Sequence, residues 1–278
     1  MMYLVLAVLA SMLVSVTMRL SEGRTKAGVS KLAVNYLMCT LLSALYAGTT
    51  DFVPQTEGIG YALALGAVSG ALYLGSFMLL QWNIGVNGVV LPATFMKLGV
   101  VVPTILAVIL FGETPRLAQV LGVLGAIAAI LMIQMEKGKS RAKNTLGLIV
   151  LWLGGGVTDT MAKFYDAWGS PALENHYLLY TFAVALLLCT ALVLIRREKT
   201  TLADVGFGLL LGIPNYYSAR FLLLSLSNVP AVVAYPTYSV ATIVMVTLAG
   251  RALFGEKLSR RQMMAMGVIL VSLVLLNV

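Results

Sequence analysis

The chain opens on MMYLVLAVLASMLVSVTMRL (Met1–Leu20), twenty residues with a single charged side chain, Arg19, near their end. A helix rises 1.5 Å per residue, so roughly 20 mostly apolar residues cross a hydrocarbon core of about 30 Å. Nine further stretches of similar character follow, at 31–48, 59–81, 87–110, 116–134, 145–163, 175–195, 205–226, 230–253 and 260–277. In a bilayer core no water satisfies the peptide groups, which leaves helices or closed barrels. Segments this long and this apolar fit helices; a barrel strand needs only about ten alternating residues. Composition agrees, with 60% hydrophobic residues, 11% charged and a mean hydropathy of +0.94. The expected fold class is all-α integral membrane, with ten transmembrane helices and no residues left over for a soluble domain.

A formal charge of +8 raises the question of a nucleic-acid partner, but the basic residues are sorted by loop. Numbering the loops by the spans they join, one face receives fifteen of the nineteen, from Arg19, Arg24, Lys26 and Lys31 through Lys137–Lys143 and Arg196–Lys199 to Arg251–Arg261. The other face receives Arg116 and Lys163, and Lys97 and Arg220 fall inside spans. This bias is the positive-inside pattern of a multi-pass protein. It predicts a cytoplasmic (inner) membrane location with both termini outside, the lipid bilayer as partner, and no nucleic acid. Met1–Leu20 has no basic leading region and carries its charge after the apolar run, so it reads as span one rather than a cleaved signal. Cys39 and Cys189 lie inside spans and read as packing residues rather than a disulfide framework.

Phe111-Gly112-Glu113 closes span four and returns as Phe254-Gly255-Glu256 closing span nine, an offset of 143 residues. The same offset lays Gln119 on Gln262, Thr94 on Thr237, and spans one to five on spans six to ten. A Gly-xxx-Gly pair in span three, Gly66 and Gly70, meets Gly208 and Gly212 of span eight within one position. Five is odd, so the second copy enters the membrane from the opposite side. The expected organisation is two inverted five-helix repeats, 1–134 and 145–278, joined by a basic cytoplasmic loop at 135–144. Inverted repeats are a recurring construction of secondary transporters, whose central site opens to either side in turn.

Ten spans, two five-helix halves and a Phe-Gly-Glu after the fourth span of each resemble the drug/metabolite transporter superfamily, and within it the EamA type. The resemblance covers the whole chain. It implies a carrier of small metabolites, often an exporter, with spans one to four and six to nine around a central cavity and five and ten peripheral. It leaves the small-molecule substrate open; no cofactor and no metal are expected.

Charges deep in a membrane span usually face a cavity. Lys97 lies near the middle of span four, and an ammonium there reads as a substrate-binding group, or as one that pairs with a carboxylate or snorkels. Arg220, two thirds along span eight, offers a guanidinium able to hold a carboxylate or phosphate by two parallel bonds. Asp159 is the acid placed inside a span. It stands four residues before Lys163, so a helical ion pair accounts for both; the alternative is a carrier of a coupling proton, or a partner of Lys97 or Arg220. Tyr216, Tyr235 and Tyr238, each an apolar ring with a polar tip, join Asn215 as candidate cavity residues beside these charges. Glu113 and Glu256 stand just before the next span and read as helix-end carboxylates.

Two fixed cations and one acid favour an anionic or zwitterionic solute, such as an amino acid or organic acid. The small multidrug-resistance branch of the same superfamily relies on an acid in its first helix, and spans one to five hold no intramembrane acid here. Organic-cation efflux is the alternative cargo, and a channel or scaffold the alternative class. An enzyme is not expected, because one histidine, His176, with no His-Glu-x-x-His, Gly-x-Ser-x-Gly or cysteine cluster supplies no grouping to activate water or a hydroxyl. No phosphate-binding loop is present, so a secondary carrier is expected rather than a pump.

Overall fold

A computed structural model describes residues 1–25, 27–48, 52–87, 92, 95–96, 98–132 and 143–255 and 260–278 in full, with 133–134 described for the backbone alone. Ten α-helices run among these residues: α1 Met2–Ser21, α2 Gly28–Ala47, α3 Ile59–Asn87, α4 Val101–Phe111, α5 Leu117–Gln134, α6 Thr145–Trp168, α7 Glu174–Arg196, α8 Leu202–Leu226, α9 Ala231–Phe254 and α10 Arg260–Leu276. Six stretches are long and apolar enough to span a bilayer: α1, α2, α3, α6, α9, and α7 taken with the short turn that leads into it. Nine of the ten expected spans each coincide with one continuous helix.

Span four is the exception. Its residues 92, 95, 96 and 98 are helical, Gly99 and Val100 form a turn, and α4 starts only at Val101. Pro103 explains the interruption. It has no N–H to give to the carbonyl four residues back, that of Gly99, which instead accepts from Val102 at 2.9 Å. The neighbouring Leu98 carbonyl takes the indole N–H of Trp152 on α6 at 2.9 Å. Span three, by contrast, continues as helix to Asn87, six residues beyond the expected end at 81.

Helix ends gather by kind. At one end the Asp204 carboxylate closes a capping box with Thr201 at the start of α8 and also accepts the backbone N–H of Ala27 before α2, at 3.3 Å. Glu198 accepts from Ser30 at 3.1 Å nearby. Asn87, ending α3, accepts from the backbone of Lys143 and Asn144, each at 2.9 Å. At the other end Arg116 donates to the Val278 carbonyl at 2.8 Å, and Met1 and Val278 border the same surface hollow as Glu113 and Pro230. Both termini therefore lie at one end, and Arg24, Arg196, Arg197 and Lys199 belong to the opposite, basic end.

The Gly-xxx-Gly pairs are close-packing surfaces. Gly66 and Gly70 of α3 lie against Tyr177, Tyr180 and Thr181 of α7; Gly208 and Gly212 of α8 lie against Lys31, Val34, Asn35 and Met38 of α2. Gly122 and Gly125 bring α5 onto Ser272 and Leu276 of α10. Two buried apolar clusters result. One joins α9 to α4, α5 and α10 through Ala107, Ile130, Val233, Val240 and Ile269; the other joins α2, α3 and α7 through Tyr36, Ala62, Leu179 and Phe182. Cys39 and Cys189 are free thiols buried in the second, in keeping with a packing role.

Candidate substrate cavity

Beside the first cluster is a cavity of about 360 Å³, walled by α1, α3, α6, α8, α9 and the residues that lead into α4. Its apolar wall is Leu80, Ile84, Met96, Val100 and Leu222. Its polar wall is Asp159, Ser11, Ser239, Thr242, Tyr235 and Tyr238. A mostly apolar hollow with a few convergent polar groups is the usual form of a small-molecule site.

Asp159 is an exposed residue that borders this hollow, although it stands inside α6. Lys163, one turn further on, makes ion pairs with Glu113 at 3.3 Å and Asp166 at 3.1 Å. Tyr235, 2% exposed, donates its hydroxyl to the backbone carbonyl of Asp159 at 2.8 Å, tying α9 to α6 at that residue. Tyr238 exchanges a hydrogen bond of 2.8 Å with Ser218 on α8. The Thr242 hydroxyl, 3% exposed, has no hydrogen-bond partner among the described residues. A buried hydroxyl left unsatisfied costs free energy, so this one is a ready contact for a polar group entering the cavity.

The remaining candidates sit elsewhere. Ser218 and Leu222, one turn apart on α8, face Tyr238 and the cavity. Arg220 lies two residues from each, about 200° around the helix, and points to the other side. There its guanidinium stacks 4.3 Å over the Tyr46 ring, and its Nη1 donates to Tyr216 at 3.0 Å and to Asn175. Tyr216 is fully buried among Tyr46, Phe182 and Tyr217. Asn215 donates to Asn35 at 3.2 Å and contacts Cys39, so it joins α8 to α2. The structure thus gathers Asp159, Tyr235 and Tyr238 in one place and Arg220 with Tyr216 in another. Lys97 lies outside the described residues, as do Glu256 and Thr94.

Sequence reasoning passed over Ser11, Ser239 and Thr242, because an isolated hydroxyl in an apolar span gives no signal of which way it faces. It also set Glu113 before the wrong helix. Its carboxylate does not serve α5, the next in sequence, but accepts the first N–H groups of α9, from Ala231 at 3.0 Å and Val232 at 2.8 Å.

Comparison with known proteins agrees with this picture in outline. Residues 175–269, from the second residue of α7 into α10, match the family model of the Small Multidrug Resistance protein. An uncharacterized protein of Haemophilus influenzae is 25% identical over 271 residues, spanning 92% of this chain and 91% of its own. A protein solved by crystallography superposes with a TM-score of 0.71 at 14% identity, covering 99% of this chain and 94% of the other, a likeness of fold. The apolar helices are those of a multi-pass membrane protein, and the family match over residues 175–269 is to a membrane transporter family.

Proposed function

We propose that the chain is a secondary transporter of EamA type that carries a small zwitterionic solute bearing an ammonium group, such as an amino acid, out of the cell by alternating access. The observation that carries this reading is Asp159: a carboxylate on the wall of a hollow otherwise lined by hydroxyls and apolar side chains, where six segments of the bundle meet. The carboxylate takes the ammonium, Tyr238, Ser239 and Thr242 offer neutral polar contacts, and Leu80, Ile84 and Leu222 receive the apolar part. Lys97 follows Met96 in sequence and precedes Val100, two residues of that wall, and is the residue assigned to the solute's carboxylate. With Arg220 on the far side of α8, a purely anionic organic acid is a poorer cargo than the sequence implied.

The inverted-repeat layout, 1–134 and 145–278 about the loop 135–144, is part of this proposal. In it α3 corresponds to α8 and α7 to α2. The glycine pairs support it: α3 packs its pair on α7, and α8 packs its pair on α2, two contacts between the halves that exchanging the repeats maps onto each other. The pairing of α5 with α10, outside the cavity wall, supports it as well. Exchange between two equivalent arrangements of the halves would open the hollow alternately to each side. The charge bias of the loops supports a cytoplasmic-membrane location with both termini outside.

Organic-cation efflux is the second reading, favoured by the family match to α7–α10. That matched segment excludes Asp159 on α6, which weighs against it. Counterflow in proteoliposomes decides between them, using amino acids, organic acids and quaternary ammonium compounds as competitors. Saturable flux of amino acids that is lost in Asp159→Asn and Lys97→Met is the expected result. Flux of quaternary ammonium compounds alone, unchanged in Lys97→Met, would overturn the zwitterion reading, and unsaturable flux would overturn the carrier.

A further inference from the structure

The cluster around Arg220 is a site in its own right. Three helices build it: Tyr46 ends α2, Asn175 begins α7, and Arg220 with Tyr216 and Tyr217 comes from α8. The guanidinium carbon lies over the Tyr46 ring, 4.3 Å from its centroid. Its Nη1 donates both to the amide oxygen of Asn175 and, at 3.0 Å, to the Tyr216 hydroxyl. Asn175 is itself fixed by donating to the Tyr46 carbonyl at 2.9 Å, and Tyr46 and Tyr217 share a hydroxyl–hydroxyl bond of 3.0 Å.

These ring and hydrogen-bond partners hold the group in place and are themselves uncharged. Among the described residues Arg220 makes no ion pair, and Nε and Nη2 have no hydrogen-bond partner. That remaining edge is the one a phosphate takes with two parallel N–H bonds. Glu174, one residue before Asn175, is near enough to interact with the guanidinium electrostatically but makes no ion pair with it, so the open edge stays available to an anion that arrives from outside. The surroundings indicate its level. Tyr3, Phe221, Tyr217 and Tyr46 form a continuous run of ring contacts, and Tyr3 and Tyr46 are exposed, at the end of the bundle that carries both termini. Such rings sit at the headgroup level of a membrane.

We propose that Arg220, positioned by Asn175, Tyr216 and Tyr46, binds a phosphate group at the terminus-bearing end of the bundle, from a lipid headgroup or a soluble phosphate ester. The site is separate from the cavity, since Arg220 and the cavity-facing Ser218 and Leu222 lie on opposite sides of α8.

The purified full chain in detergent micelles is titrated with dihexanoyl-phosphatidylglycerol, with glycerol 3-phosphate, and with dihexanoylglycerol, which lacks phosphate, while its thermal unfolding midpoint is followed. A saturable rise with a phosphate compound and none with dihexanoylglycerol is expected. Response to the lipid alone assigns a headgroup, and response to both assigns any accessible phosphate. Arg220→Gln is expected to weaken binding about tenfold or more, and Arg220→Lys, which keeps the charge and loses the fork, to fall between. Arg116→Gln, at the same end, leaves binding unchanged. If Arg220→Gln fails to fold, Arg220→Lys and Tyr46→Leu carry the test. No binding by any phosphate compound, or binding unaltered in the Arg220 and Tyr46 variants, overturns the proposal.

Discussion

Glu113 accepts the backbone N–H of Val232 at 2.8 Å across 119 positions of sequence, so the turn after α4 closes the start of α9. The same carboxylate takes the N–H of Ala231 and lies 3.3 Å from the Lys163 ammonium on α6. One acid therefore ties three helices at the end that carries the termini. The first N–H groups of a helix have no partner within it, and a negative charge there also meets the positive end of the helix dipole. Replacing Glu113 by Ala is expected to cost about 1–2 kcal/mol of stability, and by Gln less, because Gln keeps an acceptor. Thermal unfolding of the two variants in the same detergent checks the order; equal melting of wild type and Glu113→Ala would remove the cap from the account.

Tyr238 faces the cavity and bonds Ser218, whereas Tyr235 holds the backbone of Asp159. Removing either hydroxyl forfeits about 0.5–1.5 kcal/mol of hydrogen bonding. For Tyr238→Phe the loss is expected in solute affinity, as a two- to tenfold rise in KM by the same magnitude, with the midpoint of unfolding close to wild type. For Tyr235→Phe it is expected in stability as well. Flux and melting measured on both variants separate a cavity contact from a strut.

The helix contacts at Gly70 and Gly212 leave no room for a side chain, since a Cβ would run into the Thr181 carbonyl in the first case and lie 2.6 Å from the Asn35 carbonyl in the second. Gly75 and Gly206 have open space around that position. Alanine at Gly70 or Gly212 is expected to destabilise by about 1–3 kcal/mol. At Gly75 and Gly206 it is expected to be neutral or slightly stabilising, as a glycine inside a helix is the poorer helix former. Unfolding midpoints of the four single variants test the contrast, and a loss at all four would point to backbone propensity instead of helix contact.

Single thiols placed at Arg24 and Arg197 are expected to react only from the cytoplasmic side, and one at Arg116 only from outside. The basis is the sorting of basic residues between the two ends. A membrane-impermeant maleimide applied to intact cells and to inverted vesicles reads the result. Labelling of positions 24 and 197 from contrary sides would undo the ten-span layout and the alternating-access reading with it.

Order along the chain made most of the fold legible. An apolar run near twenty residues has one low-energy form in a bilayer, a helix, because every peptide group must be satisfied within the segment. Nine of the ten spans therefore form single helices, most of them bounded close to where composition changes. Span four departs at Pro103, a residue whose missing donor the sequence itself flags as able to kink a helix; the structure shows the Gly99 carbonyl taking Val102 in its place. The glycine pairs were legible as contact surfaces, and their partners on α7 and α2 were not.

What the sequence determined by itself was the solvent, the helical class and the short list of polar groups that a membrane span must account for. Tertiary structure decided how that list divides. Which way a side chain faces depends on rotation of its helix and on the neighbours that helix meets, and neither is written in local composition. Asp159, Tyr235 and Tyr238 came to share one hollow, Arg220 and Tyr216 turned to another side of α8, and Glu113 found its partner on a helix far along the chain. In each case the physical reason is the same: contacts between helices join residues remote in sequence, and only the packed bundle brings them within bonding distance.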